Sequence, residues 1–386
     1  MMKIAAVTTL LPHTHYSQYL CRALDALMPG SLTVYADRDP RNEGLTGCGR
    51  VKTAWPHSPS YVPALLRGLE SDRPDVVHLQ HEFNMYGGVL TAALFPYLLW
   101  RLRRMRMRLV VTVHAVVDPR VIDRRFLSMF GRGMRFCPPF VMRLFFGWLY
   151  RCIARFADRV VIHTHTMRDI LVERYQVPPG PLVVIPHGVP PIQESGCEKE
   201  RYALYFGYIA RRKGLHNVLS GFQRFLADHP ESDLSLVLAG GTIDGQAYAR
   251  EEIEQWIAGR QLNGRIRLTG FVEGGAPLDE LFGKACCVLI PAEVSIAASG
   301  PLSQAMHYGK FVLASRVGNL VEEVDHGVDG YLVENDRWED AFGFVDNPRH
   351  GEEICRMESR VREKAQARAW PRIAQRHLDL YRSILK

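Results

Sequence analysis

Short apolar runs rich in β-branched residues alternate with helical patterns along the whole chain. We predict strands in ten of these runs: Ile4–Leu10, Val76–Gln80, Leu109–His114, Val160–His163, Leu182–Ile185, Ala203–Phe206, Leu234–Ala239, Ile266–Thr269, Val288–Pro291 and Phe311–Ala314. Helical spacing lies between them, for example in residues 18–28, 215–227 and 302–308. Continuous apolar runs are typical of parallel strands that are covered on both faces. The sequence therefore predicts an α/β fold built on parallel sheets.

The chain has 386 residues, which is more than one ordinary core requires. A Pro- and Gly-containing stretch from Pro186 to Arg201 is typical of a linker, and a new strand–turn–helix unit begins at Tyr202. We therefore predict two doubly wound domains that face one another, with the boundary near residue 190.

Positive charge is concentrated in two segments of the first domain. The formal net charge is +7, which favours an anionic partner. Arginines follow Trp100 up to Arg108, and further arginines lie among phenylalanines between residues 120 and 155. This mixture suits the surface of an anionic bilayer. The alternative is an amphipathic helix that packs on the sheet with solvated arginines. No recognised nucleic-acid motif is present, so we do not expect a nucleic-acid partner.

The sequence predicts neither a signal peptide nor a transmembrane helix. The apolar residues after Met1 lack a small-residue cleavage site and are interpreted as the first strand. The stretch Val89–Trp100 would reach only ~18 Å as a helix, against a hydrocarbon core of ~30 Å. Eight irregularly spaced cysteines give no disulfide framework. These features predict a cytoplasmic protein.

A basic loop between a strand and a helix is the first candidate site. Gly207 opens the loop, and Arg211, Arg212 and Lys213 precede the next helix. Open α/β sheets bind ligands at the carboxyl ends of their strands. Basic side chains near a helix N-terminus would bind a diphosphate there. The alternative is a solvated basic loop.

A second candidate lies at the start of a later helix. Pro301 suits the first helical position, so Ser299 and Gly300 would form the cap and free N–H groups would favour an anion. Gly309 suits the end of that helix. The paired glycines Gly240 and Gly241 also follow a strand, although a Gly-Gly pair is more often only a turn.

Histidines end two strands of the first domain. His78 and His81 lie on one predicted strand, Glu82 follows it, and His114 ends the next. A lone histidine at a strand end is usually structural, and we interpret His163 and His165 in that way. No cysteine or aspartate cluster accompanies the pair His78 and His81, so we expect no metal.

Together these segments resemble the "group 1" family of retaining GT-B glycosyltransferases. The likeness runs in order through six motifs: Val77-His78-Leu79-Gln80-His81-Glu82-Phe83 with Gly87-Gly88, Val111-Thr112-Val113-His114, Val184-Ile185-Pro186-His187-Gly188-Val189, the segment from Gly207 to Lys213-Gly214, Gly270-Phe271-Val272, and Trp370-Pro371-Arg372-Ile373-Ala374.

The resemblance implies two Rossmann-like domains that face each other across a cleft, residues 1–190 and 191–369. Residues 370–386 would form a helix that returns to the first domain. It implies transfer of a sugar from a nucleotide-diphosphate donor with retained configuration and without a tightly bound cofactor or a metal.

The resemblance also assigns residues to roles. The donor side comprises Gly207, Arg211, Arg212, Lys213, Gly240, Gly241, Phe271, Ser299, Gly300, Pro301 and Gln304. The catalytic residues would be Lys213 and Arg212, which offset charge on the leaving diphosphate, and His114, which holds the transferred sugar. The acceptor side comprises His15, Tyr16, His81 and Glu82.

Several positions depart from the family pattern. Two glutamates of the family correspond to Ile296 and Gln304, Tyr208 replaces a basic residue, and Thr14-His15-Tyr16 replaces an early Gly-Gly loop. The first missing glutamate orients the donor sugar in the family. A non-catalytic relative that binds a nucleotide sugar or a partner is therefore the alternative; a nucleotide-sugar epimerase fits the motif order less well.

The acceptor class follows from the family and from the basic segments. We expect a glycan or a lipid-linked acceptor of envelope or exopolysaccharide synthesis. The enzyme would then work in the cytoplasm, peripherally on the inner face of the cell membrane.

Overall fold

Two parallel β-sheets form the framework of the protein. The computed structural model describes residues 2–10, 15–42, 45–129, 134–194, 197–242, 248–262 and 264–386. Each sheet has buried apolar clusters on both of its faces. The predicted α/β fold with two doubly wound parallel sheets is confirmed.

The first sheet has the strand order β3-β2-β1-β4-β5-β6-β7, and every neighbouring pair is parallel. Its strands are β1 (Ile4–Val7), β2 (Leu32–Asp37), β3 (Arg50–Trp55), β4 (Val76–His81), β5 (Arg108–Val113), β6 (Arg159–Ile162) and β7 (Leu182–Val184). Its helices are α1 (His15–Leu27), α2 (Tyr61–Asp72), α3 (Val89–Arg104), α4 (Arg124–Ser128), α5 (Pro139–Phe156) and α6 (His165–Asp169). Short 3-10 turns occupy residues 40–42 and 134–136, and a π-helical turn occupies residues 170–174.

The second sheet repeats this winding with the order β10-β9-β8-β11-β12-β13. Its strands are β8 (Tyr202–Phe206), β9 (Ser235–Ala239), β10 (Ile266–Gly270), β11 (Cys287–Ile290), β12 (Val312–Ser315) and β13 (Tyr331–Val333). Its helices are α7 (Leu215–Asp228), α8 (Tyr248–Ala258), α9 (Ala276–Lys284), α10 (Gly300–His307), α11 (Leu320–Glu323), α12 (Trp338–Asp346) and α13 (Gly351–Ala367). Residues 211–213 and 348–350 form 3-10 turns.

All ten predicted strands are present, but three further strands were missed. β3 lies at the edge of its sheet, and it was not predicted because Arg50 and Lys52 interrupt its apolar run. β13 is an edge strand of three residues. The first strand ends at Val7, earlier than predicted, and α1 begins at His15 rather than Gln18.

The last helix, α14 (Trp370–Leu385), packs against α1 of the first domain. Its residue Arg376 donates a hydrogen bond to the carbonyl oxygen of Val184 over 2.8 Å. Trp370 lies so close to Gly188 that a Cβ on this glycine would be 2.4 Å from the indole ring. The division into residues 1–190, 191–369 and 370–386 stays a prediction, with β7 and β8 on either side of its first boundary.

Within the described ranges, no helix combines the length and the apolar character that are needed to cross a bilayer.

Candidate functional site

The candidate site lies between the points at which the two sheets reverse their winding. These points are the gaps between β1 and β4 and between β8 and β11, where open α/β sheets bind ligands. The loop after β11 reaches the first domain, because the N–H of Val116 donates to the carbonyl oxygen of Ile296 over 2.8 Å. Nearby, the carboxylate of Glu322 accepts from the N–H groups of His165 and Thr166 over 2.7 Å each. The two domains are therefore in contact beside the site.

A pocket of about 610 Å³, counted to its open mouth, lies at the second of these gaps. It is lined by the ends of β8 and β11, the loop 291–299 and the start of α10. Arg212, Lys213, Ser299, Gly300 and Pro301 all contribute to its wall. The structure thus brings together two of the three predicted basic residues and the whole predicted helix cap.

Lys213 is delivered to this pocket by a tight turn. Residues 211–213 form a 3-10 turn, and Gly214 leaves it with φ 64° before α7 begins. A Cβ on Gly214 would lie 3.2 Å from the backbone of Ala292, so the approach favours glycine. Burial and, to a smaller extent, the neighbouring Arg212 lower the pKa of Lys213 to about 8, while Glu82 acts in the opposite direction. A half-buried cation beside a second cation favours an anionic ligand.

Arg211 points elsewhere. Its guanidinium pairs with the carboxylate of Glu252 on α8, and it does not contribute to the pocket wall. Of the two arginines that could replace the basic residue expected at Tyr208, the geometry therefore favours Arg212.

The start of α10 agrees with the predicted cap in outline. The hydroxyl of Ser299 accepts from the N–H of Leu302 over 3.2 Å, which is an N-cap contact. The helix begins at Gly300, so Pro301 occupies the second helical position rather than the first. Gly309 ends the helix with φ 60°, as predicted.

A carboxyl group is buried behind this cap. Glu323 is 3% exposed and lies 3.5 Å from a guanidinium nitrogen of Arg368. Burial raises its pKa to about 7, although Arg368 and the main chain of Ser299 act in the opposite direction. The carboxyl of Glu323 therefore contacts the main chain of Ser299, the N-cap residue of α10.

Backbone contact between the first two strands of the second domain requires glycine. A Cβ on Gly240 would lie 1.8 Å from the carbonyl oxygen of Gly207, and both residues have positive φ. Gly241 packs beside Phe271, whose side chain is 71% exposed at the end of β10. These four residues and Gln304 of α10 lie outside the wall of the pocket, so their donor-side roles stay predictions.

The side chain of Ile296, the residue that we predict at the position of a family glutamate, packs against the core of the first domain and also lines the pocket. The loop 291–299 contains one carboxylate, Glu293. It is held by Arg125 over 2.9 Å and by His216 and Asn217 over 3.0 Å each. This carboxylate is therefore engaged in holding the two domains together.

Both ring nitrogens of His114 are occupied by protein groups. Nε2 lies 2.8 Å from Oε1 of Gln80, and Nδ1 lies 3.1 Å from Nε2 of His163. Nδ1 of His163 in turn donates to the carbonyl oxygen of Ile185 over 3.0 Å. Burial lowers the pKa of His114 well below its ordinary value, and the pKa of His163 to about 4. His114 is held in one orientation, and the contact with the sugar stays a prediction.

The hydrogen bonds continue from Gln80 to the last helix. Nε2 of Gln80 lies 3.2 Å from Nε2 of His78, which is also 2.7 Å from the hydroxyl of Thr112. The hydroxyl of Tyr381 lies 2.7 Å from Nδ1 of His78. The sequence did not single out Gln80 and Tyr381 for this role, whereas His163 was interpreted as structural. A signal was present, because the adjacent strands β4, β5 and β6 are each followed or ended by a histidine.

The four residues predicted on the acceptor side have different surroundings in the structure. The side chain of His15 lies outside the described residues. The ring of Tyr16 packs edge-on against His114, with centroids 4.7 Å apart. His81 is 1% exposed and packs against Phe95, with centroids 4.6 Å apart. Glu82 is exposed at the cleft, where desolvation raises the pKa of its carboxyl although the charges of Arg212 and Lys213 act in the opposite direction.

No group of three or more histidine, cysteine, aspartate or glutamate side chains in the described part of the chain is arranged to hold a metal ion.

Curated relatives match part of the chain. A D-inositol 3-phosphate glycosyltransferase of Corynebacterium jeikeium is 27% identical over 48% of this chain and 48% of that protein. An alpha-maltose-1-phosphate synthase of Mycobacterium tuberculosis is 25% identical over 61% of this chain and 66% of that protein. The chain thus aligns with about half to two thirds of the length of these relatives.

Solved structures match almost the whole chain in fold. Anabaena Alr3699/HepE in complex with UDP-glucose has a TM-score of 0.76 at 16% identity, over 99% of this chain and 100% of that chain. Sucrose-phosphate synthase from Thermosynechococcus elongatus has a TM-score of 0.74 at 18% identity, over 100% and 99%.

Two family models match consecutive parts of the sequence. "Glycosyltransferase Family 4" matches residues 14–192, and "Glycosyl transferases group 1" matches residues 192–365. Together they cover every strand of the two sheets except β1, and they include the pocket of the second domain. Each half of the chain therefore matches a glycosyltransferase family, the second half matches group 1, and the whole chain has the GT-B fold.

Proposed function

We propose that the protein transfers a sugar from a nucleotide-diphosphate donor to an acceptor, with retained anomeric configuration. The observation that carries this proposal is the pocket in which Lys213, Arg212 and the start of α10 converge. A diphosphate would contact both cations and the N–H of Gly300 at the start of the helix. Among its structural neighbours, Anabaena Alr3699/HepE was crystallised with UDP and with UDP-glucose.

In this reaction Lys213 and Arg212 stabilise the negative charge that develops on the leaving diphosphate. His114 orients the transferred sugar from the opposite wall, and its own position is fixed by Gln80 and His163. Glu82, which faces the two cations across the cleft, contacts the acceptor side. No metal is required for these steps, because the charge is balanced by side chains and backbone N–H groups.

The acceptor is a glycan or a lipid-linked sugar. We also propose that the protein works in the cytoplasm at the inner face of the cell membrane, where a lipid-linked acceptor would be presented to it.

The test is a thermal-shift series with UDP, GDP, ADP and their sugars, followed by donor hydrolysis and transfer assays with the best binder. Lys213→Ala should lose nucleotide stabilisation and about 10²–10³-fold in rate. Lys284→Ala is the matched control, since Lys284 pairs with Glu280 and Glu200 at the surface of the same domain. A Lys213→Ala variant that turns over as fast as the parent would disprove the assignment.

The alternative is a non-catalytic relative that binds a nucleotide sugar. It is favoured by Ile296, which packs on the first domain where the family has a glutamate, and by the engagement of Glu293. Stabilisation by a nucleotide sugar without hydrolysis or transfer to any acceptor tested would support this alternative.

A further inference from the structure

Exposed apolar side chains are concentrated on one side of the first domain. Among the described residues, 14 large hydrophobic side chains are exposed, and eight of them lie on α3, on α5 or on the 3-10 turn before α5. The most prominent on the two helices are Leu90, Tyr97, Trp100, Phe140, Leu144 and Trp148. Monomeric proteins rarely expose such a contiguous patch without using it.

The two helices form one surface. α3 connects β4 to β5 and α5 connects β5 to β6, and these three strands are neighbours in the sheet. Right-handed connections place both helices on the same face of the sheet, and the helices pack against each other. We call the outer side of this pair the α3–α5 face.

The α3–α5 face carries only positive charge. Residues 89–117 and 134–157 contain nine arginines and no aspartate or glutamate. Asp158 lies at the border of the face, where it is 2.7 Å from Arg103 and 3.6 Å from Arg108. One carboxylate therefore offsets a small part of the charge.

Arginines and aromatic rings are paired on this face. The guanidinium of Arg104 lies over the ring of Trp100, 5.6 Å from its centroid. Arg101 lies over the ring of Tyr97 at 5.9 Å and donates to its hydroxyl over 2.9 Å. Such pairs keep an amphipathic ring and a cation at the same level, which suits the headgroup region of a bilayer.

A shallow depression at the end of α3 provides a place for an anionic group. It is lined by Arg103, Arg106, Met107 and Arg108. Three guanidinium groups around one depression suit a phosphate, because arginine binds phosphate through a planar fork of donors.

The composition of the α3–α5 face changes along the helices, from mostly apolar at one end to rich in arginine at the other. Helices of a parallel sheet run against the strands, so the first turns of α3 and α5 lie at the edge that holds the cleft. Leu90, Phe140 and Leu144 lie near those first turns together with Arg143, whose guanidinium donates to the carbonyl oxygen of Ile122. Trp100, the arginines of α3 and Arg151 and Arg155 lie toward the opposite end. The apolar end of the face is therefore the end next to the candidate site, about 24 Å from the arginine-rich end.

We propose that the α3–α5 face docks on an anionic lipid bilayer, with its apolar end inserted beside the cleft and its arginines on the lipid phosphates. A second copy of this chain is disfavoured as the occupant, because two such faces would bring arginines together without carboxylates. An acidic partner would satisfy the arginines, but it would leave the exposed leucine and phenylalanine side chains of the cleft end without an apolar environment. A bilayer offers phosphates to the arginines and an apolar environment to the exposed leucine and phenylalanine side chains.

This orientation brings the mouth of the cleft to the membrane surface. A lipid-linked acceptor could keep its chain in the bilayer while its polar head reaches Glu82. The identity of that acceptor rests on the proposed function, whereas docking of the face does not.

The experiment is flotation of the full-length protein with vesicles of phosphatidylcholine alone and of phosphatidylcholine with phosphatidylglycerol. The parent should float with the anionic vesicles and be released by high salt. Arg101→Ala/Arg104→Ala should weaken binding about 25-fold, since each arginine near such a surface contributes about fivefold. Phe140→Ser/Leu144→Ser should weaken binding at every salt concentration, because it removes the inserted end.

The matched controls are Arg349→Ala/Arg356→Ala and Val328→Ser, which change exposed residues of the second domain. Both should float like the parent, and thermal unfolding checks that every variant is folded. Quenching of Trp100 and Trp148 by brominated lipid gives a second readout that reports on this face directly.

Equal flotation of the face variants and the controls, absence of flotation with anionic vesicles, or unquenched tryptophans would overturn the docking surface. Since flotation needs no nucleotide, a protein that binds a nucleotide sugar normally but does not float would leave the proposed sugar transfer intact and would remove only the proposed location at the membrane. The converse result would remove the proposed function and keep the docking face.

Discussion

Nε2 of His163 lies 3.1 Å from Nδ1 of His114, so the histidine at the cleft is itself held by a second histidine from the next strand. Nδ1 of His163 donates to the carbonyl oxygen of Ile185, which leaves Nε2 of a neutral ring as the acceptor for His114. The proton of His114 is therefore on Nδ1, and its Nε2 requires a donor.

Gln80 supplies that donor when its amide nitrogen faces His114. The two ends of an amide are assigned from the surrounding hydrogen bonds. With the nitrogen toward His114, the oxygen accepts from Nε2 of His78, and Nδ1 of His78 accepts from Tyr381. All hydrogen bonds from Tyr381 to Ile185 then run in one direction without any charged ring.

His163→Phe tests this arrangement through stability. The variant keeps a ring of similar size but leaves the carbonyl of Ile185 and Nδ1 of His114 without partners. Each unpaired buried group costs about 1–3 kcal/mol, so for the two groups we expect a loss of about 2–6 kcal/mol in the free energy of unfolding. Urea denaturation measures it, with His350→Phe near the surface as the control, for which we expect a change within about 0.5 kcal/mol. Equal losses in the two variants would contradict the role of His163.

Gln80→Glu should raise the pKa of His114. A carboxylate 2.8 Å from Nε2 stabilises the doubly protonated ring, whereas burial in the parent protein keeps it neutral. Nitrogen chemical shifts of the labelled imidazoles, followed between pH 5 and 8, report the protonation state of His114. Gln80→Leu is the control, because it offers neither a charge nor an acceptor. Shifts of a neutral ring throughout the range in Gln80→Glu would show that the carboxylate does not interact with His114.

The sheets were predictable from the sequence because buried parallel strands require continuous apolar runs. Ten strands follow that rule, and the three strands that were not predicted are β2 and the edge strands β3 and β13. The helix cap at Ser299 and the turn at Lys213 were also predictable, since glycine, proline and serine mark them locally.

The hydrogen-bond chain behind His114 was not predictable, because its members come from different elements. His78 and Tyr381 are 303 residues apart, and they meet only when α14 returns to the first domain. The different directions of Arg211 and Arg212 were equally hidden, since they depend on Glu252 of a helix that follows another strand. Local sequence fixes turns and strands, while side-chain partners depend on packing across the molecule.

Nucleotide affinity should depend on the charge of Lys213. Its pKa is about 8 in the free pocket, and a bound diphosphate would raise it, so binding takes up a proton above that pH. The dissociation constant of the best nucleotide should therefore rise with pH above about 8, by at most tenfold per pH unit. Calorimetry between pH 7 and 9.5 measures it. Lys213→Arg should bind with little dependence on pH, and a parallel dependence in both proteins would exclude Lys213 as the group that titrates.

Glu323 should make the protein less stable as pH rises. Burial raises the pKa of its carboxyl from 4.5 to about 7, so the folded state holds the proton more tightly than the unfolded state. The resulting stabilisation is present below pH 4.5 and is lost as the pH rises through 7. Relative to Glu323→Gln, which has no such proton, the parent should lose about 1–3 kcal/mol between pH 4.5 and 8. Urea denaturation at several pH values gives the difference, and Glu363→Gln at the surface should not change it. A constant difference between the parent and Glu323→Gln would show that the carboxyl titrates normally.

Gly240→Ala should damage the second domain where its first two strands meet. The added Cβ would lie 1.8 Å from the carbonyl oxygen of Gly207, and neither backbone segment can yield without moving the loop that leads to Lys213. We expect a loss of about 1–3 kcal/mol in the free energy of unfolding, together with weaker nucleotide binding. Gly343→Ala is the control with the opposite sign, because it lies inside α12 with open space around it, and alanine there should stabilise the helix by up to about 1 kcal/mol. Urea denaturation of both variants measures the change in stability, and calorimetry measures the change in nucleotide binding. A Gly240→Ala protein that binds nucleotide like the parent would mean that the contact between Gly207 and Gly240 does not set the position of Lys213.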